Sequence, residues 1–349
     1  MKLSPLGRLR RLASRARNRS SSRALILLYH RVAEAISDPW SLAVKPAHFA
    51  QHLEVINRRA RVLSVEELVA AIAGGKLPRR AVVITFDDGY ADNLLNAKPI
   101  LEKNDSSATV FVTAGFAGSD REFWWDELDK LFLQPGELPP SLHLTIDGKD
   151  YRWDLGAAAR YGEKAFHMNE PWRAGQKDDP SPRHLLYRSL WELMHPLPED
   201  ERQRVQDDLV SWAAANRSPR ATHRALSIDE LRELAEGGLI EIGCHTVTHP
   251  KLAALALNSQ SYEINQSKRR LEELLNRRIK SFAYPYGQPG DYTAETVALV
   301  KQSGFDSACS TTYGPVSRRS NPFELPRFQA PDVDGEVFDD LMRQWFDTL

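Results

Sequence analysis

Two adjacent carboxylates close an apolar run, Ala81-Val82-Val83-Ile84-Thr85-Phe86-Asp87-Asp88-Gly89-Tyr90, and two histidines stand four residues apart in His245-Thr246-Val247-Thr248-His249-Pro250. Neighbouring side chains leave a strand in opposite directions, so Asp87 and Asp88 can take different jobs. One carboxylate can hold a cation while the other stays free to take a proton. Two imidazoles at this spacing reach one cation if their loop turns helically. Asp, His and His make a three-ligand set with positions left open for water and substrate. Such a mixed oxygen and nitrogen set suits zinc first, and also accepts Co, Ni or Fe.

The chemistry needs scaffolding, and the sequence supplies it. The unbroken apolar run before Asp87 reads as a parallel strand buried on both faces, and Gly89 lets the chain turn after the acids. Ala24-Leu25-Ile26-Leu27-Leu28-Tyr29-His30 is a second such run, ending in a histidine at the carboxyl end of a strand, where α/β proteins place their chemistry. Between and after them, helical periodicity from 48 to 60, a capping box at Ser64 to Glu67, and a helix from about Ala91 to Lys103 alternate with a strand at Ala108–Thr113. The rhythm resumes with a second capping box at Ser227 to Glu230. A strand at Leu239–Cys244, a mixed-charge helix from about Ser259 to Asn276 with a solvated face, and a strand at Ser281–Tyr284 follow. A helix from Thr293 to Gln302 and strands at Asp306–Ser310 and Phe323–Phe328 complete it. Alternating strands and helices predict a parallel sheet or an α/β barrel.

From about Arg121 to Arg224 the alternation breaks. A hairpin about Asp147-Gly148 and helices near 183 to 195 and 199 to 215 read as an insertion on the barrel. Six of the eight tryptophans lie there, at 124, 125, 153, 172, 191 and 212. Most are expected to pack the insertion's own core. Trp124 and Trp125, nearest a strand end, are the candidates for stacking on a sugar ring, with Asp126 beside them as a substrate or supporting residue.

Residues 1–23 carry eight Lys or Arg and no acid, which leaves 38 basic against 47 acidic residues in the remainder. A body at about −9 is not built for nucleic acid. Leu3, Leu6, Leu9 and Leu12 give that basic leader an amphipathic stripe, suited to peripheral contact with an anionic membrane surface, although a solvated tail has the same composition. Lacking the apolar core of an export signal, the leader predicts a cytoplasmic protein, peripheral at the inner membrane surface if the stripe binds there. Cys244 and Cys309 lie in apolar segments and are expected to be reduced.

Three segments together resemble the motifs of the polysaccharide deacetylase (NodB-like, carbohydrate esterase family 4) superfamily: Thr85-Phe86-Asp87-Asp88-Gly89-Tyr90, His245-Thr246-Val247-Thr248-His249, and Phe282-Ala283-Tyr284-Pro285-Tyr286-Gly287. The resemblance covers about 24–118 and 227–330. It implies a distorted (β/α) barrel, in two parts at 24–120 and 226–335, interrupted by a helical and hairpin insertion at 121–225 and followed by a C-terminal helix at 336–349. It implies a metal-dependent hydrolase that removes N-acetyl groups from N-acetylhexosamine units of a polysaccharide or glycolipid. Asp87 would be the general base, Asp88, His245 and His249 the ligands of a divalent metal that activates water, and the Tyr286 backbone N–H a donor to the oxyanion. Thr248 is placed to brace the histidine loop.

The chain departs from that family twice. Ala283 stands where an arginine usually orients the catalytic aspartate, and Arg327 is the candidate to replace it from another strand. The C-terminal Leu-x-His segment that supplies the general acid is not found, whereas Leu28-Tyr29-His30 matches relatives acting on poly-N-acetylglucosamine, which makes His30 the candidate acid. Two alternatives stay open: an O-deacetylase or other amide hydrolase, such as a deformylase, and a non-catalytic glycan-binding protein on the same fold.

Overall fold

The computed structural model describes residues 23–347, so the basic leader, apart from Arg23, lies outside the described residues. Eight strands make one curled parallel sheet: β1 Ala24–Tyr29, β2 Arg61–Val62, β3 Ala81–Phe86, β4 Ala108–Val112, β5 Ile240–Cys244, β6 Ser281–Ala283, β7 Ser307–Cys309 and β8 Phe328–Gln329. Their order is β7-β6-β5-β4-β3-β1-β8, with β2 beside the start of β3. The helices are α1 Pro46–Arg59, α2 Val65–Ala73, α3 Lys98–Lys103, α4 Trp124–Phe132, α5 Glu163–Asn169, α6 Pro182–Met194, α7 Glu199–Trp212, α8 Ile228–Ala235, α9 Leu257–Leu275, α10 Ala294–Gln302 and α11 Gly335–Asp347. None is long and apolar enough to cross a membrane.

The sheet is a distorted (β/α) barrel, and its continuous apolar strands explain why. Every residue of β1 and β3 is buried, and they run in register from Ala24 opposite Ala81 to Tyr29 opposite Phe86. Both strands therefore deliver their next residues, His30 and Asp87, to one end of the sheet. The ring closes through the segment expected as a strand at 323–328. Pro326 lacks a ladder donor, so only Phe328–Gln329 forms a strand. Leu325 nevertheless bridges Cys309 of β7, while Phe328 pairs with Leu27 of β1, so Arg327 sits at the seam.

The capping boxes at Ser64/Glu67 and Ser227/Glu230 form as expected, and both cysteines are buried and free. Three local readings need correction. The helix expected from Ala91 begins as a π-helical turn, Asn93–Ala97, before α3. Its first residues have other partners: Asp92 accepts from Arg31 Nε and Val32 N, each at 3.0 Å, and Asn93 donates to the His30 carbonyl at 2.8 Å. The mixed-charge helix α9 does not present only a solvated face, since Gln260, Glu263 and Ser267 are buried. Finally, the loop after β1 pairs Arg31–Val32 with Ala43–Val44, a short parallel ladder absent from the sequence reading.

The insertion starts and ends together, Glu122 and Arg224 forming an antiparallel bridge at its base. It has its own apolar cluster containing Trp124, Trp125, Trp172, Tyr187 and Leu190, separate from the barrel core. The hairpin Ser141–Ile146 with Lys149–Asp154 turns at Asp147-Gly148 as expected.

Candidate active site

Asp87 and Asp88 follow β3 directly, and His245 follows β5. Asp88 adopts φ of 75° and Gly89 84°, so the chain turns away through two consecutive left-handed residues. A side chain at position 89 would meet Val112 Cγ1 at 3.2 Å, which reinforces the need for glycine. Thr246 (φ 65°), His249 (58°) and Tyr286 (59°) are left-handed as well. Strained backbone persists where surrounding contacts over-determine it, and here four non-glycine cases gather around one cavity.

That cavity holds about 400 Å³ and is lined by Asp87, Asp88, His245, His249, His30, Tyr286 and Arg327 among others. His245 Nε2 lies 3.6 Å and His249 Nε2 3.4 Å from Asp88 Oδ1. The ligand atoms of these three residues all fall within 4.8 Å of one another. Such separations suit bonds of ~2.0–2.2 Å to one ion. Asp88 Oδ1 is buried with no hydrogen-bond partner, which costs free energy unless a cation or proton answers it. Burial, followed by the neighbouring Asp87, pushes the Asp88 carboxyl well above its ordinary value. Burial holds both imidazoles below theirs, so both are neutral, the state in which histidine binds metal. His245 Nδ1 donates to the Ala283 carbonyl at 2.8 Å, which leaves Nε2 unprotonated toward the site. Asp88, His245 and His249 therefore fit a divalent cation.

Asp87 is treated differently. Arg327 Nη1 and Nη2 reach its two oxygens at 2.7 Å each, while Arg327 Nε donates to the Ser310 carbonyl at 2.8 Å. Burial, the largest single influence, would raise the Asp87 carboxyl; the Arg327 guanidinium, together with His245 and His30, outweighs it, and the net direction is down. Asp87 is thus ionised and oriented, with Oδ2 3.9 Å from His245 Nε2. Arg327 takes the place that Ala283 cannot fill from β6.

His30 lines the same cavity at the end of β1. Burial pushes its imidazole down to about 4, against the pull of Asp87. Tyr286 leans edge-on against His249 with 4.7 Å between ring centroids, and its carbonyl is pinned by Thr311 Oγ1 at 2.5 Å. Thr248 braces the loop through a residue the sequence reading had left in solvent. Its Oγ1 and N–H reach Glu263 of α9 at 2.7 and 2.9 Å, and Val247 N–H joins them at 2.7 Å. From the opposite side Arg202 of α7, itself buried, donates to the Thr248 carbonyl at 2.9 Å.

The tryptophan expectations divide. Trp125 lines the cavity, edge-on to His249 at 4.8 Å. Trp124 and Asp126 do not line it. Trp124 packs in the insertion core, and Asp126 lies behind the cavity wall, accepting from the Tyr90 hydroxyl at 2.6 Å. Both sit one helical step from Trp125, and a helix turns its consecutive residues to different faces. Trp40 and Trp191, which the sequence reading did not select, face the cavity instead.

A curled parallel barrel with an acid and histidine cluster at its carboxyl end is an α/β barrel with its reactive groups where barrel enzymes place them. The polysaccharide deacetylase family model matches residues 74–137 and 210–308, and leaves most of the insertion unmatched. The poly-β-1,6-N-acetyl-D-glucosamine N-deacetylase of Staphylococcus aureus strain MSSA476 is 21% identical over 335 residues, covering 92% of this chain and 82% of that protein. Among solved structures, the Streptococcus pyogenes deacetylase PplD superposes with a TM-score of 0.57 at 19% identity, over 93% of this chain and 99% of that one. IcaB from Ammonifex degensii gives 0.56 at 17%, over 94% and 98%. The barrel portion of this chain, residues 74–137 and 210–308, matches the polysaccharide deacetylase family, and its fold is that of the two deacetylases superposed on it.

Proposed function

We propose that this protein is a metal-dependent hydrolase that removes the N-acetyl group from N-acetylhexosamine units of a polysaccharide or glycolipid. The observation that carries the reading is the division of labour between adjacent acids. Asp88 meets His245 and His249 in a ligand set, while Asp87 is held beside it by Arg327. A divalent cation, zinc in the first instance, would supply Lewis acidity to water and to the acetamide carbonyl.

The side chains then have separable roles. Asp87, ionised and fixed at both oxygens, takes a proton from the attacking water. His30, on the neighbouring strand, is assigned the proton given to the departing nitrogen, because an amine is a poor leaving group until protonated; burial holds the resting imidazole neutral, so it must first take up that proton, and the charge of Asp87 favours the uptake. The Tyr286 backbone N–H is assigned to the developing oxyanion, with the next peptide held through the Tyr286 carbonyl by Thr311. Support for the substrate class comes from the family match and from the Staphylococcus aureus relative.

The test is acetate release from N-acetylglucosamine oligosaccharides by the metal-loaded protein, alongside the Asp87→Asn variant. We expect the variant to keep its metal content and lose at least ~10²-fold in kcat, the scale of one general base. Metal-loaded protein that releases no acetate from any N-acetylated sugar sinks the proposal.

A further inference from the structure

We infer that the amino end of the barrel, opposite the proposed active site, docks on an anionic phospholipid surface. The inference goes beyond the hydrolase reading and does not depend on it. In a parallel barrel the segments that enter the strands all lie at one end. Here several of them are basic. Arg23 precedes β1, and Ala24 stands in register with Ala81, so Arg23 and Arg80 enter neighbouring strands side by side. Arg61 opens β2, pairs with Ala81 from the other side, and donates its N–H to the Arg80 carbonyl at 3.0 Å. The chain returning from β7 runs antiparallel to β1, with Val316 bridging Ala24, and turns at 317–320, which puts Arg318 and Arg319 at its tip.

Arg61, Lys76, Arg80, Arg318 and Arg319 are exposed, and residues 57–65, 74–81 and 317–322 contain no acid. The acids nearby have engagements of their own. Glu66 of α2 is taken by Lys280 at 2.6 Å and Asp306 by Arg278 at 2.8 Å, while Glu67 closes its capping box. Asp339 of α11 holds Arg58 and Arg59, and Asp105 and Glu236 precede β4 and β5, beyond β2. The cavity end is the reverse. Among its described lining residues Arg327 is the single Lys or Arg, and Asp87 engages both its terminal nitrogens.

The sequence ahead of Arg23 says which anion fits. It joins the barrel at this end and carries seven more Lys or Arg, with Leu3, Leu6, Leu9 and Leu12 among them. Apolar side chains interleaved with bases gain from burial at a lipid boundary and gain nothing on a phosphate backbone. The rest of the chain, with 38 basic against 47 acidic residues, repels a long phosphate polymer that extends past the basic end. Docking also sets an orientation. β1 and β3 each span 6 residues, so at ~3.3 Å per residue the cavity stands ~20 Å from the docked end, beyond the ~8 Å reach of the surface charge. The cavity then faces water, and an extended glycan reaches it more readily than a sugar linked to the same bilayer.

The test is sedimentation of the full chain with vesicles of phosphatidylcholine, alone or with about 30% phosphatidylglycerol, in about 0.1 M salt. We expect binding to the anionic vesicles only, and its loss at about 0.5 M salt. Arg318→Glu/Arg319→Glu and Lys76→Glu/Arg80→Glu should each weaken partitioning at least ~10-fold, and either pair suffices if the other does not fold. Lys149→Glu/Arg152→Glu makes the same charge change on the exposed insertion hairpin and should stay within about twofold of wild type. Seven of the eight tryptophans lie in the insertion or in the loop after β1, on the cavity side, so brominated phosphatidylglycerol should leave tryptophan emission nearly unquenched. No binding to anionic vesicles, wild-type partitioning in both docking-end variants, or an equal loss in the hairpin variant overturns the inference. Strong tryptophan quenching overturns it too, because it puts the cavity end against the lipid. Tighter binding to single-stranded oligouridine than to the anionic vesicles, lost in the same variants, assigns the patch to nucleic acid instead. None of these measurements uses acetate release, so a failure of the hydrolase reading leaves them unchanged.

Discussion

Arg327 shows what one residue's chemistry can and cannot announce. A guanidinium is needed opposite a buried catalytic carboxylate, so the missing arginine at Ala283 signals that another must arrive. The sequence cannot say from where, because position 327 is 240 residues from Asp87 and meets it only when the barrel seam closes. Removing one partner of a buried ion pair leaves an uncompensated charge, so Arg327→Ala should cost about 3–5 kcal/mol in chemical denaturation. Its acetate release should fall at least ~10²-fold. Arg327→Lys keeps the charge but loses the paired geometry, and should lie between the two. His30 makes a different prediction. Deleting an acid penalises a leaving amine more than a leaving alcohol, so His30→Ala should lose N-acetyl hydrolysis at least ~10-fold more than O-acetyl hydrolysis of the same sugar. Equal losses on amide and ester substrates would remove His30 from the acid's role.

At the scale of elements, what the sequence disclosed follows the strength of the local signal. Long apolar runs made β1 and β3 legible, and with them the placement of His30, Asp87 and Asp88. Ser/Glu spacing made two helix starts legible. Glu263 was hidden for the opposite reason: in the run Glu263-Ile264-Asn265-Gln266-Ser267-Lys268 a buried acid looks like its solvated neighbours. Only the fold shows that α9 turns this carboxylate toward the histidine loop, where it accepts from two N–H groups and a hydroxyl. The same holds for Trp191, one of six tryptophans whose sequence context does not distinguish wall from core. Glu263 now carries a prediction. Groups that orient metal ligands change affinity by about 10–100-fold when altered. Glu263→Gln should therefore weaken metal retention by that factor in chelator competition, with far-UV circular dichroism unchanged. Undiminished metal affinity would make Glu263 a packing residue only.

At the scale of the whole molecule, the barrel depends on a C-terminal helix that lies far from the chemistry. Asp339 of α11 pairs with Arg58 and Arg59 of α1, and Phe338 stacks on the His52 ring with 3.8 Å between centroids. His52 is fully buried between them, with Nδ1 3.2 Å from the Tyr29 hydroxyl and Nε2 2.8 Å from the Val333 carbonyl. A neutral ring satisfies both: Nε2–H donates to the carbonyl, and Nδ1 accepts from the phenol. Burial accordingly pushes the imidazole down to about 4 from its ordinary 6.5. Above pH 6.5 the folded and unfolded chains both hold His52 neutral, so its contribution is fully present. As pH falls from 6.5 toward 4 the unfolded chain takes up a proton that the folded one refuses, and stability is lost. Below pH 4 both are protonated and the loss levels off. At ~1.4 kcal/mol per decade the window of about 2.5 decades contributes at most about 3.5 kcal/mol. A glutamine can accept from Tyr29 and donate to Val333 without titrating, so His52→Gln should flatten this part of the profile. The measurement is the urea midpoint of wild type and His52→Gln between pH 7 and pH 4.5. Parallel curves for the two proteins would show that the acid sensitivity of the fold arises elsewhere.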